Sequence, residues 1–221
     1  LLKNTMKWFG YSTIFYICIV LLFSYCNQWL ERIKQRNEKE ISFFTNNKRS
    51  FFIVMVIIIL AWLPYLLKYF PGNATSDSMS QVLQALGITK LNNHHPVIHT
   101  AVIWIGMTIG KAIGNYNLGM AVYSVIQMCI MAAIFSFAIY YMAKRQLPII
   151  VRILSLIFFA CYPVNSLYSI TMWKDVIFSG LVVVFVIGIV EIITNQNTFF
   201  KRKINSILFI ITCIGMILFR N

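Results

Sequence analysis

The feature that most constrains this chain is a series of apolar runs, each about as long as a helix needs to cross a bilayer. About 20 residues of helix span a hydrocarbon core roughly 30 Å thick. Six runs approach that length, the last slightly short: 8–26, 51–70, 118–142, 149–168, 176–194 and 204–219. We therefore predict an all-α, polytopic bundle of membrane-spanning helices, located in the cell membrane as a multi-pass protein.

The amino-acid composition agrees with a polytopic membrane protein. Hydrophobic residues make up 59% of the 221 residues and charged residues only 11%, whereas roughly a quarter of a soluble domain is charged. The net charge of +13 comes from Lys and Arg placed mostly between the apolar runs, which is typical of topology signals. We therefore expect the lipid bilayer as a partner and no nucleic acid.

The cysteines and termini add two expectations. The five cysteines are odd in number and all lie in apolar runs, so they predict neither a disulfide framework nor a metal motif. We predict no cofactor, with a divalent metal left open. Without a first Met, and with an apolar run close to its last residue, the chain is expected to be a fragment of a longer membrane protein.

Basic residues orient the helices. The interval 27–50 carries six Lys and Arg residues, which predicts a cytoplasmic location and places the loop after Pro71 outside. A seventh apolar segment, 96–114, is interrupted by glycines and Lys111. If it crossed fully, the later basic clusters at 144–145 and 201–203 would be external. We therefore predict that it lies along the outer interface or re-enters, as an external juxtamembrane helix.

The longest polar interval between apolar runs, residues 69–100, holds Asp77 and all three histidines. Pro and Gly at 71–72 predict the end of the preceding helix. Ser78 and Gln81 have the spacing of a capping box, which predicts a short helix over 79–86 that stops at Gly87. Pro96 then suits the first turn of the next helix.

Asp77 has two interpretations. It is an ordinary helix N-cap or solvated loop carboxylate, or it is a general base, because a carboxylate near apolar walls holds a proton more readily. The role of His94 and His95 is also open. They form a polar start to the next helix, bind a metal, or bind phosphate when protonated.

The turn YPVNSLYSITMWKD carries aromatic rings typical of a membrane boundary. It places Lys174 and Asp175 on the same predicted side as Asp77. The two are a surface ion pair of small energetic value or part of a site. Lys90 and Arg220 are likewise flanking anchors or partners for a phosphate.

These features occur in a specific order: YFPG at 69–72, SDS-x-x-Q at 76–81, NHHP at 93–96, MWKD at 172–175 and FRN at 219–221. In this order the chain resembles the N-terminal half of bacterial GT-C-type membrane glycosyltransferases, and more distantly the protein mannosyltransferases and the lipid A aminoarabinose transferase. The resemblance covers residues 51–221. Residues 1–50 are then an additional N-terminal transmembrane helix with a basic cytoplasmic loop.

The resemblance implies a polyprenyl-phosphate sugar as donor and a hydroxyl or amine outside the membrane as acceptor. It implies Asp77 as the catalytic base and segment 96–114 as one of the interface helices. Asp175 would orient Lys174 or the acceptor, and substrate binding would fall to a larger set: Gln81, Lys90, His94, His95, Lys174, Asp175 and Arg220. The chain departs from better-known relatives in having a lone Asp where they often have an acidic pair.

Two other classes stay open at this stage. A transporter or flippase of cell-envelope precursors also needs charges in an apolar bundle, although transporters usually hold them near the midplane on broken helices. A membrane scaffold without enzymatic activity would not gather Asp77, His94 and Lys174 in one place.

Overall fold

Helices form nearly all of the regular structure. The computed structural model describes residues 2–34, 47–91 and 95–220. Within those ranges the elements are α1 (Leu2–Lys34), α2 (Lys48–Lys68), β1 (Asn73–Ala74), α3 (Ser76–Ala85), α4 (Val97–Ile113), α5 (Tyr116–Lys144), α6 (Ile149–Cys161), α7 (Pro163–Ser169), β2 (Thr171–Met172), α8 (Lys174–Lys201) and α9 (Lys203–Arg220). Much of the predicted basic loop, residues 35–46, lies outside the described residues, as do His94 and Asn221.

Within the described residues, five helical segments are long and apolar enough to cross a membrane: Gly10–Gln28, Lys48–Lys68, Tyr116–Lys144, Lys174–Gln196 and Lys203–Arg220. A sixth span arises if α6 and α7 are taken together. The chain is thus an all-α membrane helix bundle, as predicted. The side chains of residues 10–28 in α1 are all exposed.

The predicted run over 149–168 forms two helices, α6 and α7, which make one broken span if they are taken together. α6 and α7 are bent by 54°, because Pro163 has no N–H and begins a new helix. The Phe159 carbonyl, for which Pro163 has no N–H, accepts instead from Trp62 Nε1 at 3.1 Å. The Phe158 carbonyl keeps the Tyr162 N–H as donor and also accepts from Asn165 Nδ2 at 3.1 Å. These bonds explain how a break is tolerated beside an apolar core.

α5 is the central helix, with α2, α4, α6 and α8 packed around it. α2 buries a stripe at every fourth residue that ends in Trp62 and Leu66, as expected for one face of a helix. Trp62 meets Phe135 of α5 edge to face at 5.9 Å, and Phe135 stacks on Phe159 of α6 at 4.3 Å. Three helices are therefore joined through aromatic rings.

The helix predicted over 79–86 starts earlier than expected. α3 begins at Ser76, and its capping box joins Thr75 to Ser78, so the predicted box of Ser78 with Gln81 is wrong. Thr75 is the better cap because its extended backbone leaves its hydroxyl free to accept from the Ser78 N–H, at 3.2 Å. The predicted stop is confirmed, since Gly87 has φ +73° directly after the helix.

α4, the segment that the sequence left as a doubtful crossing, is a separate helix of 17 residues, shorter than the spanning helices. Gly106 and Gly110 on α4 face Gly119 on α5 so closely that a Cβ at Gly106 would lie 2.5 Å from the Gly119 carbonyl oxygen. Only a small residue permits this approach. It brings the second half of α4 against the start of α5.

The bundle has two unlike ends. The basic end contains the start of α2, Lys144 at the end of α5 and Arg202 before α9, which line one cavity. The loop end contains β1, α3, α7, β2 and the start of α8, where the two strands pair. The structure therefore groups the basic clusters away from Asp77, while their cytoplasmic orientation stays a prediction.

Candidate functional site

The loop end is organised by two strands of two residues each, which the sequence did not predict. They pair in parallel, Asn73 opposite Thr171 and Ala74 opposite Met172. The Asn73 side chain also donates to Thr171 Oγ1 at 3.4 Å. This ladder ties the loop after α2 to the turn before α8, although about a hundred residues separate them.

The loop is held on α5 at Gly72. Ser124 Oγ of α5 donates to the Pro71 carbonyl at 2.9 Å. Gly72 has φ +123°, and a Cβ there would lie 2.8 Å from the Ile170 carbonyl oxygen. A side chain is excluded at this position by both conformation and space.

Gln127 of α5 fixes the other side of the ladder. Its Nε2 lies 3.1 Å from Tyr168 O, 3.1 Å from Ser169 O and 2.7 Å from Thr171 O. Three acceptors around the nitrogen leave the amide only one orientation. Its Oε1 then faces the Tyr123 hydroxyl, at 2.7 Å.

His99 is the centre of what we call the polar cluster, formed by Gln81, His99, Thr100, Tyr123 and Gln127, all buried. His99 Nδ1 lies 2.6 Å from the Gln81 amide, and Nε2 lies 2.7 Å from the Tyr123 hydroxyl. Thr100 Oγ1 also reaches the Gln81 amide, at 3.2 Å. The cluster joins α3, α4 and α5 through side chains alone.

The cluster dictates where protons sit. Because Gln127 presents Oε1, the Tyr123 O–H donates to it, and the Tyr123 oxygen accepts from His99 Nε2–H. In an imidazolium ring, Nδ1–H would donate to Gln81 Oε1. In a neutral ring, Nδ1 accepts instead, and the Gln81 amide turns its NH₂ toward it.

The surroundings of His99 favour the neutral ring. Burial, followed by the nearby His95 and Lys174, lowers the pKa of His99 from 6.5 to about 4, since a positive ring is disfavoured away from water and beside positive groups. At neutral pH we therefore assign the Nε2–H tautomer, with the Gln81 NH₂ donating to Nδ1.

The predicted site residues fall into three groups. Gln81 and His95 are buried, and Gln81 belongs to the polar cluster rather than to a cap. Lys174 and Asp175 are half-buried in the first turn of α8. Asp77, Lys90 and Arg220 are exposed.

The ladder brings several of these residues to one place. Ser78, beside Asp77, donates to the Met172 carbonyl, two residues before Lys174. Lys174 and His95 are close enough to His99 to act on its charge. Among the described residues, no hydrogen bond of the polar cluster involves Asp77 or Lys90.

Arg220 joins the same end from α9. Its guanidinium lies 5.7 Å from the ring of Phe178, one helical turn beyond Lys174. The neighbouring Phe219 ring lies 6.4 Å from the His99 ring. Arg220 and Lys174 therefore flank the N-terminal end of α8, whose dipole adds partial positive charge.

Asp175 lines a separate cleft of about 290 Å³ between α5, α7 and α8. Its walls include Tyr168 and Trp173, whose rings stack at 5.8 Å, and the polar side chain of Asn165. Asp77 and His95 are not among the residues that line it. This cleft is therefore distinct from the surroundings of Asp77 and His95.

The part of the chain that the structure describes contains no group of side chains arranged to bind a metal ion. No three His, Cys, Asp or Glu side chains converge there as ligands.

Sequence reasoning missed His99, Tyr123 and Gln127. Each lies in an apolar helix, where a polar side chain must find a partner. Tyr123 and Gln127 are also four residues apart, hence on one face of α5. Polar side chains within an apolar helix, four residues apart, were therefore the signal for Tyr123 and Gln127. An interpretation of apolar runs as membrane spans alone does not use this signal.

Comparison with known proteins places the chain in a family. No curated protein and no solved structure matches the chain. The model of a protein family described as a family of unknown function, DUF6020, matches residues 83–221. The chain belongs to this family, and the match includes His99, Tyr123, Gln127 and Lys174 but begins after Asp77.

Proposed function

We propose that this member of the DUF6020 family is a membrane glycosyltransferase of the GT-C type. It transfers a sugar from a polyprenyl-phosphate donor to an extracytoplasmic acceptor, with Asp77 as the general base. The proposal rests on the residue pattern of the sequence and on the arrangement of charged groups at the loop end.

The observation that carries it is the position of the cations. Lys174 and Arg220 flank the start of α8 at the level of the ladder, beside His95 and His99. A lipid-linked phosphate sits at the depth of a membrane surface, so charges at the ends of spanning helices suit it. Arg and Lys are the usual partners of phosphate oxygens.

The order of elements also supports the proposal. A spanning helix, α2, is followed by a loop that holds an acid and two helices, α3 and α4, before the chain returns to the bundle as α5. This is the arrangement expected of the first external loop in GT-C enzymes. Asp77, exposed in the first turn of α3 and anchored by the Thr75 capping box, is accessible to an acceptor.

The proposed glycosyl transfer requires a general base and cations that stabilise the leaving phosphate. The Asp77 carboxylate takes the proton of the acceptor hydroxyl while the acceptor oxygen forms a bond to the anomeric carbon of the sugar. The bond between that carbon and the phosphate oxygen breaks on the opposite face, so the configuration inverts. The electron pair leaves with the phosphate, whose negative charge Lys174 and Arg220 stabilise.

The cleft beside Asp175, which Asp77 does not line, suits a part of the acceptor away from the hydroxyl that reacts. Sugars and other polyols present apolar faces and hydroxyl edges, so stacked rings with a carboxylate and an amide at the rim complement them. Tyr168, Trp173, Asn165 and Asp175 provide that combination.

The test is a transfer assay on the full-length gene product in membranes, with a panel of radiolabelled polyprenyl-phosphate sugars. Asp77→Asn should lower transfer by roughly 10²-fold or more and leave donor retention unchanged. Lys174→Met should weaken donor retention, while Lys111→Met, an exposed lysine on α4, serves as the matched control. Full turnover in Asp77→Asn would remove the base assignment.

A transporter of lipid-linked precursors is the second candidate, and the 54° break between α6 and α7 favours it, because discontinuous helices are common at transport sites. Sealed vesicles holding the wild-type protein and a fluorescent polyprenyl-phosphate lipid distinguish the two. Movement between leaflets without product formation supports transport.

A further inference from the structure

A second cavity lies at the basic end, away from the proposed transferase site. Its volume is about 470 Å³, and its walls come from the start of α2, the second half of α5, α8 and the first half of α9. Aromatic rings dominate the walls: Phe51, Phe137, Tyr140, Tyr141, Phe199 and Phe209. Such walls suit a flexible hydrocarbon chain better than a small polar molecule.

The aromatic wall is built as a connected unit. Phe209 stacks on Phe185 at 5.4 Å and meets Phe199 edge to face at 6.1 Å. A Cβ at Gly188 would lie 2.5 Å from the Phe209 ring, so α8 approaches α9 closely behind it. The cavity is thus supported by packing between helices.

Glu191, the carboxylate among the described residues that line the cavity, is already compensated. Glu191 is buried, accepts from Lys144 Nζ at 2.7 Å and accepts from the Tyr141 hydroxyl at 2.9 Å. Both of its oxygens therefore have donors. The carboxylate faces the helices, while Lys144 stays partly exposed.

The rim of the cavity keeps an excess of positive charge. Arg202 lines the cavity and is exposed, and within the described residues it has no ion-pair partner. Lys201 and Lys203 flank it in sequence and are also exposed. Arg145, next to Lys144, adds a further cation. An occupant must match an apolar interior and a cationic rim.

We propose that this cavity binds an anionic phospholipid of the adjacent leaflet. The phosphate lies against Arg202, and one acyl chain runs along the aromatic walls. Charge complementarity selects this occupant, because basic pockets between spanning helices are suited to anionic head groups. A zwitterionic lipid would instead place the positive group of its head group beside a rim that is already cationic. The site does not depend on the proposed transferase activity.

The experiment uses the full-length protein in nanodiscs that contain spin-labelled phosphatidylglycerol or spin-labelled phosphatidylcholine. We expect the wild-type protein to retain a motionally restricted phosphatidylglycerol component in excess over phosphatidylcholine. Arg202→Gln should reduce that preference by about fivefold. Lys111→Gln, at the far end of α4, is the matched control and should leave it unchanged.

A second variant separates the apolar walls from the rim. Ala133 lines the cavity, so Ala133→Phe should fill it and displace the restricted lipid while the thermal midpoint in detergent stays close to that of the wild type. Equal retention of the two lipids by the wild type overturns the proposal. A further test uses Asn205→Cys, at a position on the cavity wall. The proposal is also overturned if this cysteine cross-links to residues 35–46 or to a second copy of the protein instead of reacting with a lipid-borne maleimide.

Discussion

His99 and Tyr123 are joined by a contact of 2.7 Å between Nε2 and the phenol oxygen, and their rings meet edge to face at 5.6 Å. The Tyr123 hydroxyl donates to Gln127, whose Nε2 in turn donates to three carbonyls before α8. The position of α4 and the position of that turn are therefore set by the same side chain.

Tyr123→Phe removes the link between them. The His99 Nε2–H and the Gln127 Oε1 would both lose a buried partner, which costs about 1–3 kcal/mol for an unsatisfied group. We expect a lower midpoint of thermal unfolding in detergent. Tyr116→Phe, an exposed tyrosine on the same helix, is the control, and an equal loss in both variants would contradict the role of the hydroxyl.

Stability should depend on pH through His99. Its folded-state pKa, about 4, lies below the unfolded value of 6.5, so between these values the unfolded state binds more protons and stability falls as pH falls. Above pH 6.5 the contribution is fully present. Denaturation midpoints from pH 4 to 8 should show this decline in the wild type and a flatter profile in His99→Gln.

Imidazole nitrogen NMR provides an independent measurement. At pH 7 we expect His99 to show a protonated Nε2 and an unprotonated Nδ1, because Gln127 forces the Tyr123 proton away from the ring. A protonated Nδ1 with a bare Nε2 would show that Tyr123 donates to the histidine instead. Tyr123→Phe should alter the Nε2 shift more than the Nδ1 shift.

Gly72→Ala should disrupt the ladder. The new Cβ would meet the Ile170 carbonyl in a backbone conformation that favours glycine, and we expect a loss of roughly 2–4 kcal/mol from strain and steric conflict together. Gly87→Ala is the matched control: φ is +73°, but nothing lies within 4 Å. It should cost only about 1 kcal/mol. Urea unfolding of both variants measures the difference.

The two ends of the bundle should face opposite sides of the membrane. In a variant without the native cysteines, an impermeant maleimide added outside the cell should label Ser76→Cys, an exposed position at the start of α3, and not Asn47→Cys. The expectation follows from the excess of Lys and Arg at the basic end. The reverse labelling pattern would invert the topology.

Sequence alone predicted the helices of the bundle well, because long apolar runs leave the backbone little choice in a bilayer. It expected Asp77 just before the short helix, as its N-cap or as a loop carboxylate, whereas Asp77 lies in the first turn of α3. The difference arises because Thr75 and Ser78 offer equivalent hydroxyls as caps, and only the backbone decides between them. The turn from residue 162 onward was predicted, but the 54° angle between α6 and α7 was not, because the break is stabilised by Trp62, about a hundred residues away.

The polar cluster escaped prediction for a related reason. His99 was grouped with the other histidines of the loop, and nothing local distinguishes it from them. Its partners Gln81 and Tyr123 lie 18 and 24 residues away, and their meeting depends on how closely α4 approaches α5 at Gly119. Contacts of this kind are set by packing between helices rather than by the pattern along any one of them.

The short ladder also has a consequence for how the protein is made. Asn73 leaves the ribosome well before Thr171, its partner 98 residues later, so the first loop waits at the membrane surface while α5, α6 and α7 are inserted. Until then, Ser78 lacks the Met172 carbonyl to which it donates. Assembly of the loop end therefore comes late in biogenesis, and a chain arrested before Met172 is translated should leave this loop open to proteases that the finished protein resists.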